Sequence, residues 1–459
     1  MSSASAPPRL PALDALRAGG AAAVVAVHVG FATGFTGSSS WGAMVARLDV
    51  GVAIFFVLSG FLLFRPFAYA MAHGARRPSA GRYLWRRALR ILPAYWLTVA
   101  VCLLVLPGNA GVPWSEWVRY ATFTQFYGRG HLHDALGHTW SLTVEAAFYL
   151  LLPVLAVLAV GRSWRPRRTI AVLCAGGALI TGGWLAAMAA GGLDMGLHTT
   201  WFPAFAAWFG GGMVLATMHV AAEAGRSSRL TAEAGRSSRQ TAEAGRPFWL
   251  IEVARAPLTC WALAAGLFVI AATPLTGPRG LDEPTPGQFA TRMVLFLAIS
   301  VMVVLPVAFA GPGPVGAALT TPLARWLGLV SYGLFLWHPF VLVLLRPVMG
   351  APTFAGLIRT YVLTMAGALA LATLSWYGLE QPVQMLGRRR APAQFSAAAE
   401  DSTDAGPVEV LPVISSGATP AEAPSDVSDG AAVESAEARP RPGGSVPSQS
   451  AANAASPAS

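Results

Sequence analysis

Residues 140–160 read WSLTVEAAFYLLLPVLAVLAV, an apolar stretch with Glu145 as its one formally charged side chain. A bilayer core about 30 Å thick requires about 20 such residues in a helix that rises 1.5 Å per residue. In lipid each backbone N–H and C=O must bond inside its own segment, so a continuous apolar run of this length is a helix. A barrel strand would instead alternate apolar and polar residues over about ten positions. The same pattern recurs near 12–33, 50–70, 90–107, 169–190, 200–219, 257–275, 290–310, 325–345 and 358–380. Only 12% of the 459 residues are charged and 54% are hydrophobic, against about 25% charged in a soluble protein. The expected fold is all-α, an integral membrane helical bundle of about ten transmembrane helices.

Every basic side chain is Arg, and the formal charge is +10. With the N-terminus in the cytoplasm, the inner loops hold 21 Arg and the outer loops 7. That bias predicts cytoplasmic N- and C-termini in a plasma-membrane protein. The Arg residues fall in short clusters between spans, not along a helix face interleaved with aromatics, so nucleic acid is not an expected partner. The first run carries Asp14 and Arg17 near its start and reads as an uncleaved span. Cys102, Cys174 and Cys260 lie in apolar runs without metal or disulfide spacing and read as small buried hydrophobes.

Two segments stand apart from the spans. Residues 221–246 repeat AAEAGRSSRL, TAEAGRSSRQ and TAEAGR, a period of ten that fits no solenoid and is expected to be a flexible cytoplasmic loop. Residues 391–459, rich in Ala, Ser, Pro and Glu, carry nine acidic residues and two Arg, and are expected to be a disordered tail. The expected domain is therefore 1–390.

Ionisable residues inside apolar spans are functional candidates, because their burial in hydrocarbon is costly. Arg17 and His28 share the first span, eleven positions and about 16 Å apart on nearly one face. Arg is suited to phosphate and His to proton transfer near neutral pH. A snorkelling Arg and a backbone-bonded His remain the structural alternative. GVAIFFVLSGF (51–61) places Ser59 and Gly60 near mid-membrane, where small residues admit a neighbouring helix or a ligand. In RYLWRRALRILPAYW (82–96), Arg86, Arg87 and Arg90 lie at the inner end of the third span, where basic side chains and the helix dipole favour an anion. Glu145 must pair, protonate or face a wet cavity. His338 lies in SYGLFLWHPF (331–340), and is expected with Glu145 in the outer half. Glu380, at the inner end of the last span, is expected to pair with a cytoplasmic Arg.

Taken in order, these segments resemble the acyltransferase-3 family of membrane O-acyltransferases. LDALRAGGAAAVVAVH matches its pattern of a basic residue, ten others and His. FFVLSG matches its second-span motif, Arg87 and Arg90 its R-x-x-R, and WSLTVEAAFYL its W-S-L-x-x-E block. SYGLFLWH and the Glu380–Pro382 ending match its last spans. Ala146 and Ala147 stand where the family often has acidic or amide residues, which removes a second carboxylate there. No GDS-type hydrolase motif appears, so the fused hydrolase-like domain of some members is not expected here.

The resemblance implies an enzyme that moves an acyl group, usually acetyl, from acyl-CoA to a hydroxyl of a carbohydrate, glycolipid or secondary metabolite. It assigns His28 as the general base with Glu145 beside it in catalysis. Arg17, Arg87 and Arg90 would bind the donor acyl-CoA, typically acetyl-CoA. Ser59, Trp140 and His338 would face the acceptor. No metal is expected. Direct transfer and a covalent route through histidine or Ser59 both remain open. The rival reading is a proton-coupled transporter, since intramembrane His and Glu also suit that function.

Overall fold

The computed structural model describes residues 7–38, 40–128, 132–233, 249–280, 282–309 and 313–389. Among these there is no strand. The main helices are α1 (Ala12–Ala32), α2 (Val50–Ala72), α3 (Ala80–Val105), α4 (Trp140–Val160) and α5 (Pro166–Ala189). They continue with α6 (Phe202–Glu233), α7 (Pro257–Ala271), α8 (Pro286–Phe309), α9 (Pro322–Leu344) and α10 (Phe354–Ser375). The all-α membrane bundle expected from the sequence is what forms.

Nine helices among the described residues are long and apolar enough to cross a bilayer. The remaining predicted span, α7, has 15 residues, which gives about 22 Å at 1.5 Å per residue and falls short of the hydrocarbon core. Its far end is held from outside the helix. Arg47, 3% exposed, donates to the carbonyls of Ala271 at 3.1 Å and Pro278 at 2.9 Å, and to that of Gly277. A guanidinium there satisfies terminal carbonyls and opposes the negative end of the dipole.

Helix starts follow ordinary capping chemistry. Thr321 caps α9 by accepting from the Ala324 N–H at 3.3 Å, with Pro322 at the first helical position. Thr353 caps α10 by accepting from Gly356 at 3.1 Å. The start of α3 lies ten positions before the hydropathy boundary at residue 90, so Arg82, Arg86, Arg87 and Arg90 are helical rather than loop residues. Hydropathy averages over all faces of a helix and therefore stopped at the charges. The Arg are placed by face: Arg86 is exposed, while Arg87 and Arg90 are partly buried three positions apart.

The bundle is centred on α2, α6 and α9, with α5 and α10 at its periphery. Close approach of α2 and α6 depends on two glycines. A Cβ on Gly60 would collide with the Phe209 backbone, and one on Gly212 with the backbone of Val57 and Phe61. Backbone contact through small residues is how membrane helices pack without a hydrophobic driving force between them. Phe56 then stacks on Phe209 at 4.6 Å between ring centres, and Phe209 on Phe148 of α4 at 4.1 Å.

The outward surface keeps large apolar side chains exposed, among them Leu104, Leu150, Leu179 and Leu374. Apolar exposure distributed over several long helices is the surface that a bilayer covers. Cys102 and Cys260 are buried as expected, but Cys174 is exposed on α5, because an apolar run in a membrane protein can face lipid. Helix α6 runs through Glu233 into the repeat; the rest of the 221–246 repeat and the 391–459 tail lie outside the described residues.

Candidate active site

Five of the sequence-selected residues line one cavity of about 80 Å³: Arg17 of α1, Ser59 of α2, Arg87 and Arg90 of α3, and Glu145 of α4. Tyr332 and Phe335 of α9 complete its wall. The volume corresponds to several water molecules or the head of a small acyl thioester.

Three guanidiniums converge here from two helices. Arg17 lies 3.8 Å from Asp14 one turn earlier, where the carboxylate also benefits from the helix N-terminus. Arg90 stands 6.0 Å over the ring of Trp376, within the range of a cation–π contact. Trp376–Glu380 is a single π-helical turn after α10, a local widening often found at functional sites. Glu380, 2% exposed, accepts from Ser375 Oγ at 3.1 Å. Its interaction with Arg90 is a longer-range electrostatic one, with no ion pair between the two among the described residues. The pairing expected for Glu380 is thus to a serine, with the Arg as a charge neighbour.

Across the cavity, Ser59 Oγ donates to Glu145 Oε1 at 2.5 Å. Gly60 seats α2 against α6, and the adjacent Ser59 reaches α4, so the SG pair serves packing and the cavity together. Glu145 faces the Arg residues rather than His338. The helix that carries it is preceded by the turn Gly137–Thr139, in which His138 and Thr139 are buried.

Beyond Phe335 three imidazoles gather. His28 lies four positions from the C-terminal end of α1. His338 Nε2 is 3.3 Å from His28 Nδ1. His138 has its ring centre 6.4 Å from that of His28 and 5.3 Å from that of His338. Each of the first two rings is tied to its own helix: His28 Nδ1 lies 2.8 Å from the Val24 carbonyl and His338 Nδ1 3.2 Å from that of Leu334. A carbonyl only accepts, so each Nδ1 carries the proton when the ring is neutral. His338 Nε2 then accepts from the shared N–H of His28. His28 Nε2 is left with its lone pair, and it makes no hydrogen bond among the described residues.

Trp140 does not line the cavity. It packs against Phe205 at 5.2 Å and Phe56 at 6.4 Å in the aromatic core. His138 was not singled out from the sequence. The signal was available in HTWSLTVE, an ionisable residue two places before Trp140, but it falls outside the apolar window that defined the span. Among the described residues no group of His, Cys, Asp and Glu has the arrangement of a metal site.

The acyltransferase-domain family matches residues 10–377, a range that holds both the Arg cavity and the imidazole cluster. Nodulation protein 10 of Rhizobium leguminosarum bv. viciae is 28% identical over 73% of this chain and 82% of its own length. The peptidoglycan O-acetyltransferase OatA of Listeria monocytogenes serovar 1/2a is 24% identical over 82% of this chain, which spans 56% of that relative. No solved structure matches the chain at a significant level. With the family's matched region spanning all of the membrane helices described, this chain belongs to the acyltransferase-3 family of multi-pass membrane acyltransferases.

Proposed function

We propose that this protein transfers an acyl group, acetyl in the simplest case, from acyl-CoA to a hydroxyl of a carbohydrate, glycolipid or metabolite. The observation that carries this reading is the convergence of Arg17, Arg87 and Arg90 on one cavity with Glu145. Guanidiniums bind phosphate through paired charge-assisted hydrogen bonds, and CoA presents phosphates at one end and a thioester at the other. The Arg bias of 21 to 7 supports a position on the cytoplasmic side for the start of α1 and for these guanidiniums. CoA is found on that side.

In this scheme the donor's phosphates engage the Arg group and its thioester extends toward the imidazoles. His28 Nε2 takes the proton of the acceptor hydroxyl as that oxygen attacks the thioester carbonyl. The tetrahedral intermediate collapses, the C–S bond breaks, and the CoA sulfur leaves with the proton held by His28. His338 accepts the Nδ1–H of His28 throughout, and this bond strengthens while the ring is cationic. Glu145 orients the reacting groups from the cavity side.

Steady-state kinetics of the purified Arg87→Ala/Arg90→Ala protein with acetyl-CoA tests the donor assignment. Hydrogen bonds to charged groups contribute about 1.5–3 kcal/mol each, so the donor KM is expected to rise tenfold or more. A rise confined to the acceptor KM would contradict it.

A further inference from the structure

His138 is 5% exposed, and neither ring nitrogen has a hydrogen-bond partner. The backbone carbonyls of Ala135 and Phe335 interact with the ring, but neither meets it in hydrogen-bond geometry. The Phe335 carbonyl lacks the usual donor four positions on, because that residue is Pro339, which has no N–H. His28 Nε2, on a partly accessible ring in the same neighbourhood, also makes no hydrogen bond among the described residues. Buried polar groups are nearly always satisfied in native proteins, and an exception calls for a cause such as a catalytic role or a partner supplied from outside the chain.

The location is between the two halves of the site. Phe335 lines the Arg cavity and packs 5.0 Å from His138 and 5.9 Å from His338. Ser141, also on the cavity wall, donates from Oγ to the His138 carbonyl at 3.3 Å. His138 therefore borders the place where a thioester leaving the cavity would meet the lone pair of His28.

The chemistry of the unpaired atoms selects among possible occupants. A neutral imidazole offers one N–H and one lone pair, pointing apart. An oxyanion would satisfy only the N–H. Separate hydroxyl groups, each both donor and acceptor, satisfy both nitrogens and the Phe335 carbonyl. We infer that His138 is an acceptor-binding residue, which holds hydroxyls beside the one being acylated and so selects a polyhydroxylated acceptor over a simple alcohol. This rests on the transferase reading above.

The test compares wild type with His138→Phe and His138→Gln in acetyl-CoA cleavage, with chitotriose or ethanol as acceptor and thermal unfolding in parallel. Phe keeps a ring but removes the nitrogens, so it is expected to raise the unfolding temperature slightly, since it removes unsatisfied buried atoms. It is also expected to raise the chitotriose KM tenfold or more and to shift thioester cleavage from transfer toward hydrolysis. Gln, whose amide both donates and accepts, is expected to recover part of the transfer. Wild type is expected to prefer chitotriose to ethanol. Equal loss of hydrolysis and transfer, unchanged chitotriose kinetics in His138→Phe, or a destabilised Phe variant that Gln rescues only in stability would overturn the inference. Cleavage by wild type with no preference for chitotriose would overturn it while leaving the transferase reading in place. Absence of any thioester cleavage would remove that reading itself.

Discussion

His338 Nε2 lies 3.3 Å from His28 Nδ1, although the two residues are 310 positions apart in the chain. The contact joins α1 to α9, two helices packed along their length. It also fixes which nitrogen of His28 is left to act as a base, because the Val24 and Leu334 carbonyls at 2.8 and 3.2 Å settle both neutral tautomers.

His338→Ala is expected to lower kcat by about 10- to 100-fold, the scale of one hydrogen bond to a charged group. The donor KM should change little, since His338 does not line the Arg cavity. His338→Gln should recover part of the loss through its carbonyl oxygen. Rate measurements on both variants check this; full activity in His338→Ala would show that the pair is packing alone.

Ser59 and Glu145 form the second short contact of the site, at 2.5 Å. Glu145→Gln is expected to reduce kcat about tenfold or more without raising the donor KM, because the guanidiniums opposite lose no positive charge. Ser59→Ala should cost less. A double-mutant cycle on kcat should show non-additivity of at least about 0.5 kcal/mol, as for residues in direct contact. Strict additivity would mean that the two side chains work independently.

Most of the fold was legible because lipid leaves few options: a long apolar run must be a helix. The failures came at helix boundaries. The third span was bounded at residue 90 and α3 starts at Ala80, and the uncharged run of α7 was read as a full span and has 15 residues. Within the site, Arg17, His28 and the R-x-x-R pair were visible through spacing and family resemblance. The His28–His338 contact was not, since no local pattern encodes a meeting of α1 and α9. Glu145 was grouped with His338 in the outer half, and the structure puts it on the wall of the Arg cavity with its side chain on Ser59. His138 was passed over in favour of Trp140, whose size marked it in the motif but whose contacts are with Phe56 and Phe205.

Gly60→Ala and Gly212→Ala are expected to destabilise the bundle. The added Cβ meets backbone rather than a movable side chain in both cases, and overpacking of this kind costs about 1–3 kcal/mol. Thermal unfolding in detergent checks it. Unchanged unfolding temperatures would show that α2 and α6 separate more readily than their contact suggests.

The central claim is that His28 is the general base of acyl transfer. Its most direct measurement is acetyl-CoA-dependent transfer by purified His28→Ala and His28→Gln, with thermal unfolding recorded on the same samples. Loss of a positioned general base costs about 10² to 10⁴ in rate. His28 is partly accessible and near the end of α1, so both variants are expected to fold and to fall at least about 100-fold in kcat. Near-normal turnover in either folded variant would contradict the account and move the base to Glu145 or His338.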